Sequence, residues 1–270
     1  MRGCTQQANG QYSQNRLRRR LLRRLLARSS IDKGDFVYDI GSGDGVITLE
    51  LVKRGARVIA VEKDKRFFIK LNRKIGNCTR VLLRNADFLT MELPLHIRYK
   101  VFANIPFTCT SHIIRKLFFA ANPPVDSYLV VQREAAERFA GIHRECVLSL
   151  LLKSRFRFTI LYTFQPDDFF PVPGVDIVLL RISMRRRALV LPQQDDPYRD
   201  FITWGLRSGK PTIKSVLKGV LSHTQFSRLS HDLNFPPNTT PSELTFRQWL
   251  GLFNFLVEKK GVGGNRKSVR

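Results

Sequence analysis

Acidic residues are scarce in this chain of 270 residues: 22 Asp and Glu stand against 46 Lys and Arg, a formal net charge of +24. Such an excess points to a polyanionic partner. Long apolar runs are missing too. None approaches the ~18 residues a bilayer span needs, and no hydrophobic signal core follows the N-terminus. No membrane partner is therefore expected, and a cytosolic, cytoplasmic location is expected with it. Cysteine is sparse and unpatterned: Cys4, Cys78, Cys109 and Cys146 form no CxxC or Cys/His pair, which argues against a zinc site or a disulfide framework. His96, His112, His143, His223 and His231 are equally scattered, so no metal site and no histidine-based catalysis is expected.

What is present begins with basic ends. Residues 1–30 carry eight Arg and no acid, and residues 259–270 add Lys259, Lys260, Arg266, Lys267 and Arg270, again without an acid. Leu17, Leu21, Leu22, Leu25 and Leu26 recur at helical spacing with Arg between them, which predicts a basic amphipathic helix. An Arg-rich, acid-poor start is also compatible with an organellar transit segment. The tail over 259–270 reads as disordered in isolation and suited to adding phosphate affinity.

Between the ends, β-rich runs at Phe36–Ile40, Arg57–Val61, Arg80–Leu83, Val101–Ala103, Ser127–Val131, Phe156–Tyr162 and Val175–Ile182 alternate with amphipathic stretches. That alternation predicts an α/β fold, a doubly wound and mainly parallel sheet with ligands at the carboxyl ends of its strands. Only Phe164–Gly174 separates the last two runs, too little for a helical crossover, so one should run antiparallel. After Met184 helical segments follow at 197–207, 213–221, 223–230 and 242–258. The expected organisation is a flap and helix over 1–30, a catalytic domain over 31–187, a small helical RNA-binding domain over 188–258, and the basic tail.

Three chemical signals sit at successive strand ends. The first strand runs into Tyr38-Asp39-Ile40-Gly41-Ser42-Gly43-Asp44-Gly45, a glycine turn that lets a ligand approach the backbone ahead of a helix. Its GxGxG spacing differs from the GxGxxG of nicotinamide sites. The second strand ends in Glu62, placed to accept both hydroxyls of a ribose. Asp87 follows the third, where it can accept from the exocyclic amine of an adenine.

In this order the signals resemble the class I methyltransferases that use S-adenosylmethionine. Asn104-Ile105-Pro106-Phe107, after the fourth strand, looks like the (N/D)-x-P-(Y/F) motif of enzymes that methylate exocyclic amines on bases. The chemistry agrees with the resemblance. An aromatic amine is a poor nucleophile because its lone pair is delocalised, so acceptors must localise that pair. The Asn104 side-chain oxygen and the Ile105 carbonyl can each take one N–H, Pro106 fixes the backbone between them, and Phe107 offers a face to an unstacked base.

A second aromatic loop, Phe169-Phe170-Pro171-Val172-Pro173-Gly174-Val175, fits the FxPxPxV pattern, and Ser13-Gln14-Asn15-Arg16-Leu17 is similar to an SQNFL segment. Both resemble the ribosomal RNA adenine N6-methyltransferases: the Erm resistance enzymes and the small-subunit dimethyladenosine transferases. With Ser111-His112-Ile113-Ile114-Arg115-Lys116-Leu117 behind it, NIPF is closer to Erm. The resemblance implies that Asn15, Leu17, Gly41, Gly43, Glu62, Asp87 and Asn104 contact S-adenosylmethionine. It further implies that Phe107 and Phe169 sandwich a flipped adenine, that the partner is 23S ribosomal RNA, and that the outcome is macrolide-type resistance; a monomer is expected. Arg16 replaces the family's Phe, and a guanidinium suits phosphate or stacking rather than an apolar slot. Two alternatives stay open, a small-subunit (16S-type) enzyme and an RNA-binding assembly or transcription factor that keeps the fold.

Overall fold

The computed structural model describes residues 16–264, with side chains from Leu17 to Lys259; Asn15 and the end of the tail lie outside the described residues. The chain opens with a two-residue strand, β1 (Arg16–Leu17), and helix α1 (Arg19–Ala27). Leu21, Leu22, Leu25 and Leu26 are buried on one side of that helix, as their spacing requires, whereas Leu17, expected in the same helical stripe, lies ahead of the helix in β1. From its outer side Arg23 reaches Glu50, its Nε donating to Oε2 at 2.8 Å and its Nη2 to Oε1 at 3.3 Å.

Strands and helices then follow in the order β2 (Phe36–Ile40), α2 (Val46–Lys53), β3 (Arg57–Glu62), α3 (Lys65–Ile75), β4 (Val81–Asn85), β5 (Lys100–Asn104), α4 (Thr110–Phe118), β6 (Asp126–Gln132), α5 (Arg133–Ala140), α6 (Val147–Lys153), β7 (Phe156–Thr163), β8 (Phe169–Phe170) and β9 (Ile177–Met184). Four helices complete the fold: α7 (Asp195–Arg207), α8 (Ile213–Leu217), α9 (His223–Asp232) and α10 (Phe246–Gly264). Among the described residues, no helix is long and apolar enough to cross a membrane.

Seven strands form one sheet in the order β4-β3-β2-β5-β6-β9-β7, and β1 pairs with β8 separately. β2 runs parallel to both β3 and β5, and β3 parallel to β4. Val37, Tyr38, Ile40, Val101, Phe102 and Ala103 are all buried. Strands covered on both faces have no solvent side to alternate with, which is why they read as continuous apolar runs. β9 lies beside β7 and runs against it: Phe164 N–H donates to Ile177 C=O at 3.0 Å at one end, and Arg185 N–H to Arg155 C=O at 2.9 Å at the other. The short connection predicted this hairpin. The chain winds outward from β2 through β3 to β4, then returns to the other side of β2 at β5. Such a reversal opens a crevice at the strands' carboxyl ends, where ligands of doubly wound sheets bind.

The chain divides into two compact units. Of the described residues, one holds those up to Pro123 with Tyr128–Val130 and Tyr162–Leu179; the other holds Pro124–Ser127, Val131–Leu161 and those from Leu180. The second unit has its own core around Tyr198, Ile202, Trp249, Leu252 and Phe253. Within it the buried Glu145 accepts from Ser149 Oγ at 2.6 Å, Lys153 Nζ at 2.5 Å and Phe246 N–H at 3.0 Å. A buried carboxylate needs such partners, since an unpaired one would be strongly destabilising.

Candidate active site

The glycine turn after β2 is shaped by its backbone and held by a carboxylate. Gly41, Gly43 and Gly45 have φ of +71°, +54° and +85°, left-handed values that any side chain would strain. The N–H groups of Gly41 and Ser42 both donate to Val61 C=O, at 2.9 and 3.1 Å. Glu62 completes the clamp, Oε2 accepting from Gly43 N–H and Oε1 from Asp64 N–H, each at 2.8 Å. Glu62 therefore organises the turn and, through the remaining lone pairs of its two oxygens, keeps acceptor capacity for a ligand.

Asp39 sits directly beneath the turn. Its Oδ2 accepts from Thr48 Oγ1 at 2.6 Å, and complete burial is the main reason its carboxyl is pushed up to about 7. At the neighbouring strand end, Asp87 Oδ2 accepts from Lys63 Nζ and its Oδ1 from Leu89 N–H, both at 2.9 Å. The Lys63 hydrogen bond is the largest influence holding this carboxyl below the usual range. Asn85 Nδ2 donates to Glu62 C=O at 2.9 Å and so ties the two strand ends together.

β5 ends at Asn104. Ile105 is buried, Pro106 exposed and Phe107 half-buried. Cys109 N–H donates to Pro106 C=O and Thr110 Oγ1 to Phe107 C=O, both at 3.0 Å. These bonds form a tight turn over Phe107–Cys109 that leads into α4. Because β5 neighbours β2, this loop lies against the glycine turn: a Cβ on Gly41 would stand 3.6 Å from Pro106 Cδ and 3.9 Å from Asn104 C=O. Glycine at 41 thus leaves the two loops bare to each other along one edge of the crevice.

Gly41, Gly43, Glu62, Asn104, Ile105, Pro106 and Phe107 are brought together at these strand ends, with Asp87 in the loop that follows β4. Leu17 is buried in β1, paired with Phe169 of β8. The expectation that Phe169 offers a face to a base needs correction in this structure. Its ring is 2% exposed and packs on Phe164 with centroids 5.0 Å apart. The two-residue pairing of β8 turns alternate side chains to opposite faces, so Phe170, 77% exposed, is the ring that meets solvent. Lys63 was not singled out from sequence; its signal was a cation flanked by acids in Glu62-Lys63-Asp64.

Two buried atoms at the turn have no protein partner: Asp39 Oδ1 and Ser42 Oγ. Native folds rarely leave buried polar atoms unpaired. An acceptor and a hydroxyl beneath a bare glycine turn, with carboxylates at the next two strand ends, suit a nucleoside that carries an amino-acid-like ammonium. The residues fit S-adenosylmethionine. No group of His, Cys, Asp and Glu that could hold a metal ion occurs among the described residues.

A family model described as ribosomal RNA adenine dimethylase matches residues 5–258. The ribosomal RNA small subunit methyltransferase A of Nostoc punctiforme is 30% identical over 249 residues, 86% of this chain and 86% of its own. An rRNA adenine N-6-methyltransferase of Escherichia coli is 29% identical over 249 residues, 91% of this chain and 95% of its own. Among solved structures, the 23S rRNA methyltransferase ErmE aligns with a TM-score of 0.82 at 24% identity, covering 89% of this chain and 99% of that one. A dimethyladenosine transferase from Plasmodium falciparum aligns at 0.68 with 19% identity, covering 89% and 96%. These structural likenesses show the fold.

Proposed function

This chain belongs to the ribosomal RNA adenine dimethylase family, and we propose that it methylates the N6 amine of one adenine in 23S ribosomal RNA, with resistance to macrolide, lincosamide and streptogramin antibiotics as the outcome. It is an S-adenosylmethionine-dependent rRNA adenine N6-methyltransferase. The cofactor, when bound, supplies a methyl group on a sulfonium, an electrophile that is already activated. The chain's share is therefore placement, which can remove several kcal/mol of barrier by fixing the reacting atoms in line.

The observation that carries this reading is the approach of Gly41 to Asn104 and Pro106. It sets an amine-holding loop beside a cofactor-holding turn. Asn104 Oδ1 and the Ile105 carbonyl accept the two N–H bonds of the target amine, which concentrates its lone pair on nitrogen, and Phe107 supports the base. On the cofactor side, Glu62 takes the ribose hydroxyls and Asp87 the adenine amine. Asn15 and Leu17 are read as further cofactor contacts, by the resemblance of their segment to SQNFL. The net charge of +24 supplies phosphate affinity, while a base splayed out of its stack supplies specificity. The catalytic domain over 31–187 works with the helical domain over 188–258 as a cytoplasmic monomer.

The large-subunit target rests on NIPF and the Ser111–Leu117 segment behind it. A second reading, a small-subunit target, is favoured by the Nostoc punctiforme relative. Incubation of the protein with methyl-labelled cofactor and separately purified 23S and 16S RNA, followed by mapping of the modified nucleotide, decides between them. Label confined to 23S RNA is expected; label confined to 16S RNA would establish the second reading. Cofactor binding with no label in either would return the chain to an assembly-factor role.

A further inference from the structure

Helix α4 carries two adjacent cations with opposite fates. Arg115 is exposed, whereas Lys116 is turned inward and half-buried. Lys116 Nζ donates to Leu89 C=O at 2.9 Å and also to Met91 C=O. On the way it passes over the Phe88 ring, 5.6 Å from its centroid. An ammonium has three donors and no acceptor, so two carbonyls and an aromatic face account for what an inward lysine needs. Burial lowers its pKa, and nearby Asp87 acts against that shift.

The loop that Lys116 grips is the one that begins at Asp87. Its other supports are short-range: Leu89 N–H on Asp87 Oδ1 at 2.9 Å, and Thr90 Oγ1 and N–H on Asp87 C=O, each at 3.0 Å. Lys63 pairs with the Asp87 carboxylate from an exposed position. Lys116 alone ties the loop's carbonyls to another element among these bonds, and that element is the helix that Asn104–Phe107 leads into. A cation there does two jobs that an apolar side chain of the same length cannot. It fixes the path of 87–91, and its charge helps keep Asp87 ionised, as an acceptor-only group.

We infer that Lys116 is a positioning residue that sets the adenine specificity of the cofactor site, holding the Asp87 loop so that its carboxylate accepts from a 6-amino group and rejects a 6-oxo group. The inference rests on the reading of Asp87 as the adenine acceptor. It adds that this selectivity is built from the far side of the loop, through the helix behind the catalytic motif.

The test measures binding of S-adenosylhomocysteine and of its inosine counterpart, which bears oxygen in place of the 6-amine, to the full-length protein, to Lys116→Met, to Lys116→Gln and to Asp87→Ala. A site built to pair with an amine discriminates strongly against an analogue that lacks it. The unaltered protein should therefore prefer the amino form by about tenfold or more, and Asp87→Ala should lose that preference. Lys116→Met should cut the preference to within about threefold of unity while the KM for RNA stays near its starting value, and Lys116→Gln, which keeps donors but no charge, should fall between. A full preference retained by Lys116→Met, or by Lys116→Gln should the Met variant not fold, while Asp87→Ala loses it, would overturn the inference and leave the site reading intact. A preference retained by Asp87→Ala would remove the site reading and the inference with it.

Discussion

Leu17 and Phe169 are partners in a two-residue antiparallel ribbon, Leu17 opposite Phe169 and Arg16 opposite Phe170, extended by a 3.0 Å hydrogen bond from Arg18 N–H to Asp168 C=O. The segment resembling the cofactor flap and the loop resembling the base-holding FxPxPxV motif are thus joined backbone to backbone. Burial assigns the two phenylalanines different work. Phe169→Ala should destabilise the protein by roughly 3–5 kcal/mol, the usual cost of truncating a buried phenyl. Phe170→Ala should leave stability within about 0.5 kcal/mol and instead weaken RNA binding. Denaturant unfolding and RNA binding on both variants would check this, and equal stability losses would contradict the burial difference.

Asn104→Ala should lower the single-turnover methylation rate by about a hundredfold or more, the scale set by losing alignment of the reacting groups. RNA affinity should change little, since phosphate contacts dominate it. Phe107→Tyr should keep activity, whereas Phe107→Ala should lose the base contact, about 1–3 kcal/mol. Single-turnover rates and filter binding measured on the same preparations separate the two effects. Parallel loss of rate and affinity in Asn104→Ala would remove that residue from its assigned role.

Asp39 makes stability depend on pH in a direction that can be worked out. Burial raises its carboxyl from 3.8 to about 7 in the folded protein, so between those values the unfolded chain releases a proton that the folded chain keeps. The group's contribution is complete below pH 3.8 and is lost as pH rises to about 7, at no more than about 1.4 kcal/mol per pH unit. Asp39→Asn has no proton to lose there. Relative to that variant, the parent should lose stability between pH 5 and 7 in urea unfolding; parallel curves would mean that Asp39 is ionised throughout.

Much of the architecture could be read because the central strands β2, β5 and β6 are buried on both faces and most strands are separated by helices, a pattern with few topological solutions. Gly41, Glu62, Asp87 and Asn104 stood out because doubly wound folds gather ligands at strand ends, so position in the chain implied position in space. The ribbon of Arg16–Leu17 with Phe169–Phe170 left no trace, since two residues define no period. For the same reason nothing distinguished the buried phenylalanine from the exposed one. Lys116 was also hidden: in a helix with Arg115 beside it, one more cation reads as a solvated face. Only the packing of the 87–91 loop reveals that it turns inward.

Gly205 tests the second unit, because two local effects oppose each other there. Glycine inside α7 costs about 0.5–1 kcal/mol relative to alanine, so propensity alone predicts that Gly205→Ala stabilises. Packing predicts the reverse: a Cβ at 205 would fall 2.4 Å from Trp249 Cη2 and 2.7 Å from its Cζ3. Trp249 is fully buried and its indole N–H donates to Pro241 C=O at 3.1 Å, so the ring cannot swing aside without breaking that bond. Overpacking of this kind costs about 1–3 kcal/mol, which outweighs the helical gain. Gly205→Ala should therefore lower the stability of the second unit, seen as faster amide exchange in α7 and α10, and Gly205→Val should lower it further. A more stable alanine variant would mean that Trp249 can be repacked without loss.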